Sequence, residues 1–61
     1  MGSFAKVTRT SDSEGGVIWI SKYQIIYLES DERHERTTIY CQNNEIKVEE
    51  TVAEILKQFD N

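Results

Sequence analysis

The segment that decides the fold lies near the C-terminus and reads Glu49-Glu50-Thr51-Val52-Ala53-Glu54-Ile55-Leu56-Lys57-Gln58-Phe59. Thr51 suits the N-cap of a helix, and Glu54 follows at the spacing of a capping box. Apolar residues then recur at i, i+3, i+4 and i+7, as on one face of a helix: Val52, Ile55, Leu56 and Phe59. The sequence therefore predicts one amphipathic helix close to the C-terminus.

The chain before this helix reads as short β-strands separated by polar turns. Five segments are rich in β-branched and aromatic residues, namely 5–10, 17–20, 24–29, 37–41 and 45–48. Between them lie a loop at 11–16, a tight connection at 21–23, a charged hairpin loop at 31–36 and an Asn43-Asn44 turn. Because short connections make sequential strands neighbours, we expect an α+β fold. It would be a five-stranded antiparallel meander, open or curled toward a small barrel, with one C-terminal helix.

Alternation along the strands divides the side chains between two faces. The face under the helix should carry Ala5, Val7, Ile18, Ile20, Ile26, Leu28, Ile39, Cys41, Ile46 and Val48. The opposite face should carry Val17, Trp19, Ile25, Tyr27, Thr38 and Tyr40. Since one helix covers one side of a sheet, three aromatic residues are left over. They are either buried in a second small core, covered by a second copy of the chain, or covered by a different partner.

Composition excludes several classes of function. Sixty-one residues should form one domain, 1–61, in which residues 1–3 could be native, a cloning remnant or a disordered start. Eleven acidic residues against seven scattered basic ones give a net charge of −4, which disfavours nucleic-acid binding. The longest apolar run, Val17-Ile18-Trp19-Ile20, is too short to span a bilayer, and no signal peptide is visible. We expect a cytoplasmic protein without membrane insertion.

The residue types that usually carry chemistry lack the companions they would need. The single cysteine, Cys41, cannot form an internal disulfide, and with one histidine it cannot complete a four-ligand zinc site. No base near Cys41 in the sequence would activate it, and His34 lies in the charged loop. Glu49 and Glu50 precede the helix, where its dipole favours negative charge. We predict no catalytic residue, no metal site and no cofactor, and hence a protein that is not an enzyme.

Partner binding is predicted for the side chains that folding leaves unexplained. Thr8-Arg9 is a polar pair inside a strand, and the hairpin loop at 31–36 mixes charges of both signs. Together with the aromatic residues, these give the candidate partner-binding residues Arg9, Trp19, Tyr27, Tyr40, Arg33 and Arg36. A chain of this size buries only about 60% of its unfolded surface, so we expect a homo-oligomer or a protein partner to add stability.

Four segments resemble one known family. Val7-Thr8-Arg9-Thr10 is similar to the "l-T-R-l" opening of the flagellar FlbD family, which includes the swarming protein SwrD. Ile25-Ile26-Tyr27-Leu28-Glu29 resembles its "I-x-x-I-E" strand, and Thr37-Thr38-Ile39-Tyr40 its "T-x-I-x-L" strand. The segment 48–55 is similar to its "V-x-E-S-v-x-E-v" ending. These motifs follow the family's order and cover most of the chain.

The resemblance implies a small cytoplasmic accessory protein of the flagellum that acts by protein interaction, without catalytic residues. A different class stays open beside it. The same shape and acidity would suit a small phage or mobile-element protein that inhibits a host protein or sequesters a ligand. Neighbouring flagellar genes would favour the first interpretation, and neighbouring phage genes the second.

Overall fold

The fold is described by a computed structural model for residues 2–60. Its elements in chain order are β1 (Phe4–Thr8), β2 (Val17–Ser21), β3 (Ile25–Asp31), β4 (Arg36–Cys41), β5 (Glu45–Val48) and α1 (Val52–Phe59), with short 3₁₀ turns at Ser11–Ser13 and Lys22–Gln24. Of the first three residues, Met1 lies outside the described residues. The carbonyl of Ser3 accepts a hydrogen bond from the Lys22 backbone N–H at 2.8 Å, so Ser3 belongs to the folded chain.

All strand pairs are antiparallel, and the predicted α+β class is confirmed. The strands form two sheets, β1-β2 and β3-β4-β5, where the sequence suggested one continuous meander. An isolated bridge between Arg9 and Val48 joins the end of β1 to β5. The spatial order is therefore β2-β1-β5-β4-β3, which leaves β2 and β3 as the two outer strands. They do not pair with each other, so the barrel is not closed.

The helix begins as the sequence predicts. The Thr51 hydroxyl accepts a hydrogen bond from the Glu54 backbone N–H at 3.2 Å, and the Glu54 carboxylate accepts one from the Thr51 N–H at 2.9 Å. This reciprocal pair completes the capping box. Ile55 is fully buried, but Leu56 is 52% exposed. The apolar stripe is thus narrower than its spacing indicated, and Leu56 lies at its edge.

The hydrophobic core lies between the two sheets and the helix. Its fully or almost fully buried apolar side chains are Ala5, Val7, Ile20, Ile39, Val48 and Ile55. All five of the strand residues in this set were predicted to face the helix. The set is small for a folded domain, which agrees with the marginal stability expected for 61 residues.

One strand departs from the predicted alternation. Ile25 pairs with Cys41 and Tyr27 pairs with Tyr40, so Ile26 is an extra residue in a β-bulge. The inserted residue reverses the two faces for the part of β3 before it. Ile25 therefore packs against the core, and Ile26 is 62% exposed. The prediction that Ile26 faces inward and Ile25 outward is wrong for this reason.

The turns form where the sequence places them. The Cys41 N–H donates to the Asn44 carbonyl at 2.8 Å, which closes the predicted Asn43-Asn44 turn. Among residues 2–60, however, the left-handed backbone outside glycine occurs at Glu14 and Glu35, and not at either asparagine. Glu35 ends the hairpin loop between β3 and β4, where the chain must reverse.

Candidate interaction surfaces

Two of the three predicted aromatic residues form a stacked pair. Tyr27 on β3 and Tyr40 on β4 lie opposite each other, with ring centroids 4.4 Å apart and planes inclined by 17°. The Tyr40 hydroxyl donates a hydrogen bond to the Glu29 carboxylate at 2.9 Å. An ionised Tyr40 could not donate this hydrogen bond, so the bond raises the pKa of Tyr40 to about 12. Tyr27 and Tyr40 thus form an ordered patch on an otherwise polar outer face.

Trp19 lies apart from this pair, on the other sheet. It stands opposite Lys6 on the outer face of β1-β2 and is 66% exposed. Phe4 and Val17 are exposed on the same face. We call Phe4, Val17 and Trp19 the tryptophan face. Since both Trp19 and Tyr27 are exposed, the alternative in which a second small core buries the aromatic residues is wrong.

The tryptophan face lies in a part of the chain without acidic residues. Segments 2–10 and 15–28 contain three charged residues, Lys6, Arg9 and Lys22, and all three are basic. The remaining segments therefore hold all eleven acidic residues of a chain whose net charge is −4. The basic residues are scattered along the sequence, but the fold places Lys6 directly beside Trp19.

Arg9 makes three polar contacts with the loop at 11–16. Its Nε donates to the Gly15 carbonyl at 2.8 Å, and its guanidinium lies 3.5 Å from the Glu14 carboxylate. Its backbone N–H donates to the Gly16 carbonyl at 2.8 Å. Arg9 lies just after β1, where it holds the loop at 11–16 against the end of that strand.

Thr8, the polar residue before Arg9, is hydrogen-bonded to Glu50. The Glu50 carboxylate accepts hydrogen bonds from the Thr8 backbone N–H at 2.8 Å and from the Thr8 hydroxyl at 3.0 Å. The Glu50 carbonyl accepts a further bond from the Thr37 hydroxyl at 2.7 Å. Glu50 therefore ties β1 and β4 to the segment that leads into the helix. Glu50 has a structural role through these contacts.

The two other candidate arginines lie at the hairpin between β3 and β4, Arg33 in the loop and Arg36 at the start of β4. Arg36 lies 3.6 Å from the Glu49 carboxylate, and Arg33 is exposed at the tip. His34 contacts the Asp31 carboxylate through Nδ1 at 3.0 Å, and this bond lowers the pKa of Asp31. The fold does not bring these residues together with the aromatic ones in a single site. The six predicted residues are therefore distributed over several surfaces.

One surface was missed by the sequence analysis. A groove of about 430 Å³ runs between β3 and α1, lined by Lys22, Ile25, Ile26, Tyr27, Leu28, Val52, Leu56 and Phe59. Two of its aliphatic side chains, Ile26 and Leu56, were assigned to the core and are exposed instead. Alternation alone does not predict a bulge. The one sequence feature that indicates this groove is the run of consecutive apolar residues 25–28.

Among residues 2–60, no group of three or more His, Cys, Asp or Glu side chains could hold a metal ion. Cys41 is partly buried, and burial raises the pKa of its thiol, which disfavours the reactive thiolate. Within the same residues, no helix is long and apolar enough to cross a membrane.

Comparison with known proteins adds no relative. No family model matches the chain, and neither the curated proteins nor the solved structures give a match.

Proposed function

We propose that the chain is a small, non-enzymatic protein-interaction module of the FlbD-like flagellar accessory type, acting in the cytoplasm. The observation that carries this proposal is the exposure of Trp19 on an outer strand that contains no charged residue. Tryptophan is usually largely buried in a folded domain, and it is enriched in the centres of protein interfaces. The four sequence segments similar to the FlbD family support the flagellar assignment.

The tryptophan face has the properties of a binding surface. Phe4, Val17 and Trp19 supply apolar area, and Lys6 supplies a positive charge directly beside Trp19. A complementary partner would present an apolar patch with an acidic residue that faces Lys6. Docking there would bury the aromatic side chain that the chain itself leaves exposed.

Position-specific cross-linking in the native host tests this proposal. A photoreactive amino acid replaces Trp19 in one variant and Tyr23 in a matched control, since both are exposed aromatic residues. We expect position 19 to cross-link a flagellar protein and position 23 to give no such adduct. If position 19 gives no adduct with another protein, or if both positions give the same adducts, the tryptophan face is not a specific binding surface.

A second candidate function rests on the acidic charge. The hairpin loop 31–36 and the segment before the helix hold five acidic residues, Asp31, Glu32, Glu35, Glu49 and Glu50. Such a surface would suit a phage or mobile-element protein that blocks a basic surface of a host protein or sequesters a ligand. In this case the cross-linked protein would lie outside the flagellum, and its activity would fall when the chain is added.

A further inference from the structure

The outer edge of β2 presents free backbone groups. In an antiparallel pair, successive residues turn their N–H and C=O groups alternately toward the partner strand and away from it. The Lys22 N–H donates to the Ser3 carbonyl at 2.8 Å, and these residues lie opposite each other at the end of the β1–β2 pair. Counting back along β2, the residues whose backbone groups point away from β1 include Val17 and Trp19. Among residues 2–60, β2 pairs with β1 alone, so these groups are available to one more strand.

This edge also lacks the features that usually protect an outer strand. Bulges, charged side chains and proline discourage the pairing of an edge with another chain. The five residues of β2 contain no charged residue and no proline, and they keep a regular register with β1. The other outer strand, β3, has a bulge at Ile26 and carries Glu29 and Asp31. Of the two open edges, that of β2 is therefore the better suited to accept a strand.

An apolar cleft runs beside the edge of β2. It has a volume of about 490 Å³, and four consecutive residues of β2 line it, Ile18 to Ser21, together with Cys41 and Ile46. Because consecutive strand residues point to opposite faces, a cleft lined by all four lies along the edge of the strand. A strand added to β2 would alternate in the same way. Every second side chain would enter the cleft, and the others would lie on the tryptophan face.

The charges around this edge favour an acidic segment as its occupant. Lys6 lies opposite Trp19, and Lys22 follows directly after β2. Segments 2–10 and 15–28 contain no acidic residue, so a second copy paired through β2 would bring like charges together. On an added strand, the residue beside Trp19 would lie two strand spacings, about 10 Å, from Lys6. A lysine and a glutamate side chain can meet across that distance.

We propose that the partner of this chain supplies an extended acidic segment, which pairs antiparallel with the outer edge of β2. In this segment apolar residues alternate with acidic ones, so that the apolar side chains enter the cleft and an acidic side chain faces Lys6. In such strand addition, main-chain hydrogen bonds give affinity and alternate side chains give specificity. This inference rests on the proposed interaction function and names the kind of segment that the tryptophan face binds.

Nuclear magnetic resonance with a defined peptide tests strand addition and detects even weak binding. The probe is the synthetic peptide Glu-Val-Glu-Val-Glu-Val-Glu, added to the isotope-labelled wild-type protein. We expect saturable shifts of the backbone amide resonances of Val17 and Trp19, whose N–H groups would become hydrogen-bonded. The amide resonance of Leu28, on the other outer strand, is the matched control and should not move.

Modified peptides and one charge reversal separate strand addition from other modes of binding. N-methylation of the two inner glutamates removes N–H groups that face β2 and should abolish binding, whereas N-methylation of two valines, whose N–H groups face away, should not. Lys6→Glu, at an exposed position, should weaken binding of the glutamate peptide about fivefold and favour a peptide with lysine in place of glutamate.

Three results would overturn strand addition: no shift at Val17 and Trp19, equal binding of the two N-methylated peptides, or an unchanged charge preference in Lys6→Glu. Cross-linking from position 19 needs only that a partner docks on the tryptophan face. A specific adduct at position 19 together with any of these three results would therefore retain the proposed function and remove strand addition alone.

Discussion

Two neighbouring helix residues should differ sharply in their contribution to stability. Ile55 is fully buried against the sheets, whereas its neighbour Leu56 is half exposed at the border of the groove. The sequence pattern gives both residues the same weight, because both belong to the i, i+3, i+4, i+7 stripe. Replacing each by alanine separates what the pattern implies from what the packing implies.

The magnitudes follow from burial. Either substitution removes three carbon atoms, each worth about 0.8 kcal/mol when fully buried. Ile55→Ala also leaves a cavity, which brings its expected cost to roughly 2–5 kcal/mol. Leu56→Ala leaves no cavity and loses about half of the transfer energy, on the order of 1 kcal/mol. A domain of this length has a total stability of roughly 3–9 kcal/mol, so Ile55→Ala removes a large part of it.

Urea denaturation followed by circular dichroism measures both costs. The lowest practical protein concentration should be used, so that any self-association does not add to the apparent free energy of unfolding. We expect a small shift of the midpoint for Leu56→Ala, and a large shift or complete unfolding for Ile55→Ala. Equal destabilisation by the two substitutions would show that the helix packs with a different face on the sheets.

Two further predictions concern polar contacts. Glu50→Ala should lower the free energy of unfolding by about 2 kcal/mol in the same denaturation assay, because it leaves the Thr8 N–H and hydroxyl without their acceptor. Glu49→Ala should cost less than about 1 kcal/mol, because it loses only an exposed ion pair. Equal costs for the two variants would contradict this reasoning. Tyr40 should ionise near pH 12 in a difference titration against Tyr40→Phe. Its contribution to stability is therefore complete below its unfolded pKa near 10 and is lost as the pH rises toward 12. Glu29→Ala removes the acceptor and should lower the pKa of Tyr40, and an unchanged titration in Glu29→Ala would exclude the hydrogen bond as its cause.

Local signals in the sequence were sufficient to predict the helix and the strands. The capping box at Thr51 involves residues three apart, and the strand β5 alternates without interruption. Such short-range patterns depend on backbone geometry that neighbouring residues set together. The predicted helix and all five strands were therefore found with small differences at their ends.

The features that define the surfaces are set by long-range contacts, which alternation does not encode. The bulge at Ile26 depends on the register between β3 and β4, and it decides which of two adjacent isoleucines faces the core. The separation of Trp19 from Tyr27 and Tyr40 depends on the split into two sheets. A continuous sheet would have placed all three rings on one face, which is the reason they were predicted as a set.

The two open strand edges, those of β2 and β3, have one structural origin, because β2 and β3 do not pair with each other. They follow each other in the chain and are separated by the 3₁₀ turn at Lys22–Gln24. Their pairing would close the ribbon into a barrel and remove both edges, because closure is the one arrangement without an outer strand. Instead, a cleft of about 490 Å³ separates β2 from the β4–β5 hairpin, and Trp19 lies at its border. The two edges then differ in charge. β2 is uncharged and lies beside Lys6, which suits a partner with acidic residues, whereas β3 carries Glu29 and Asp31 and no basic residue.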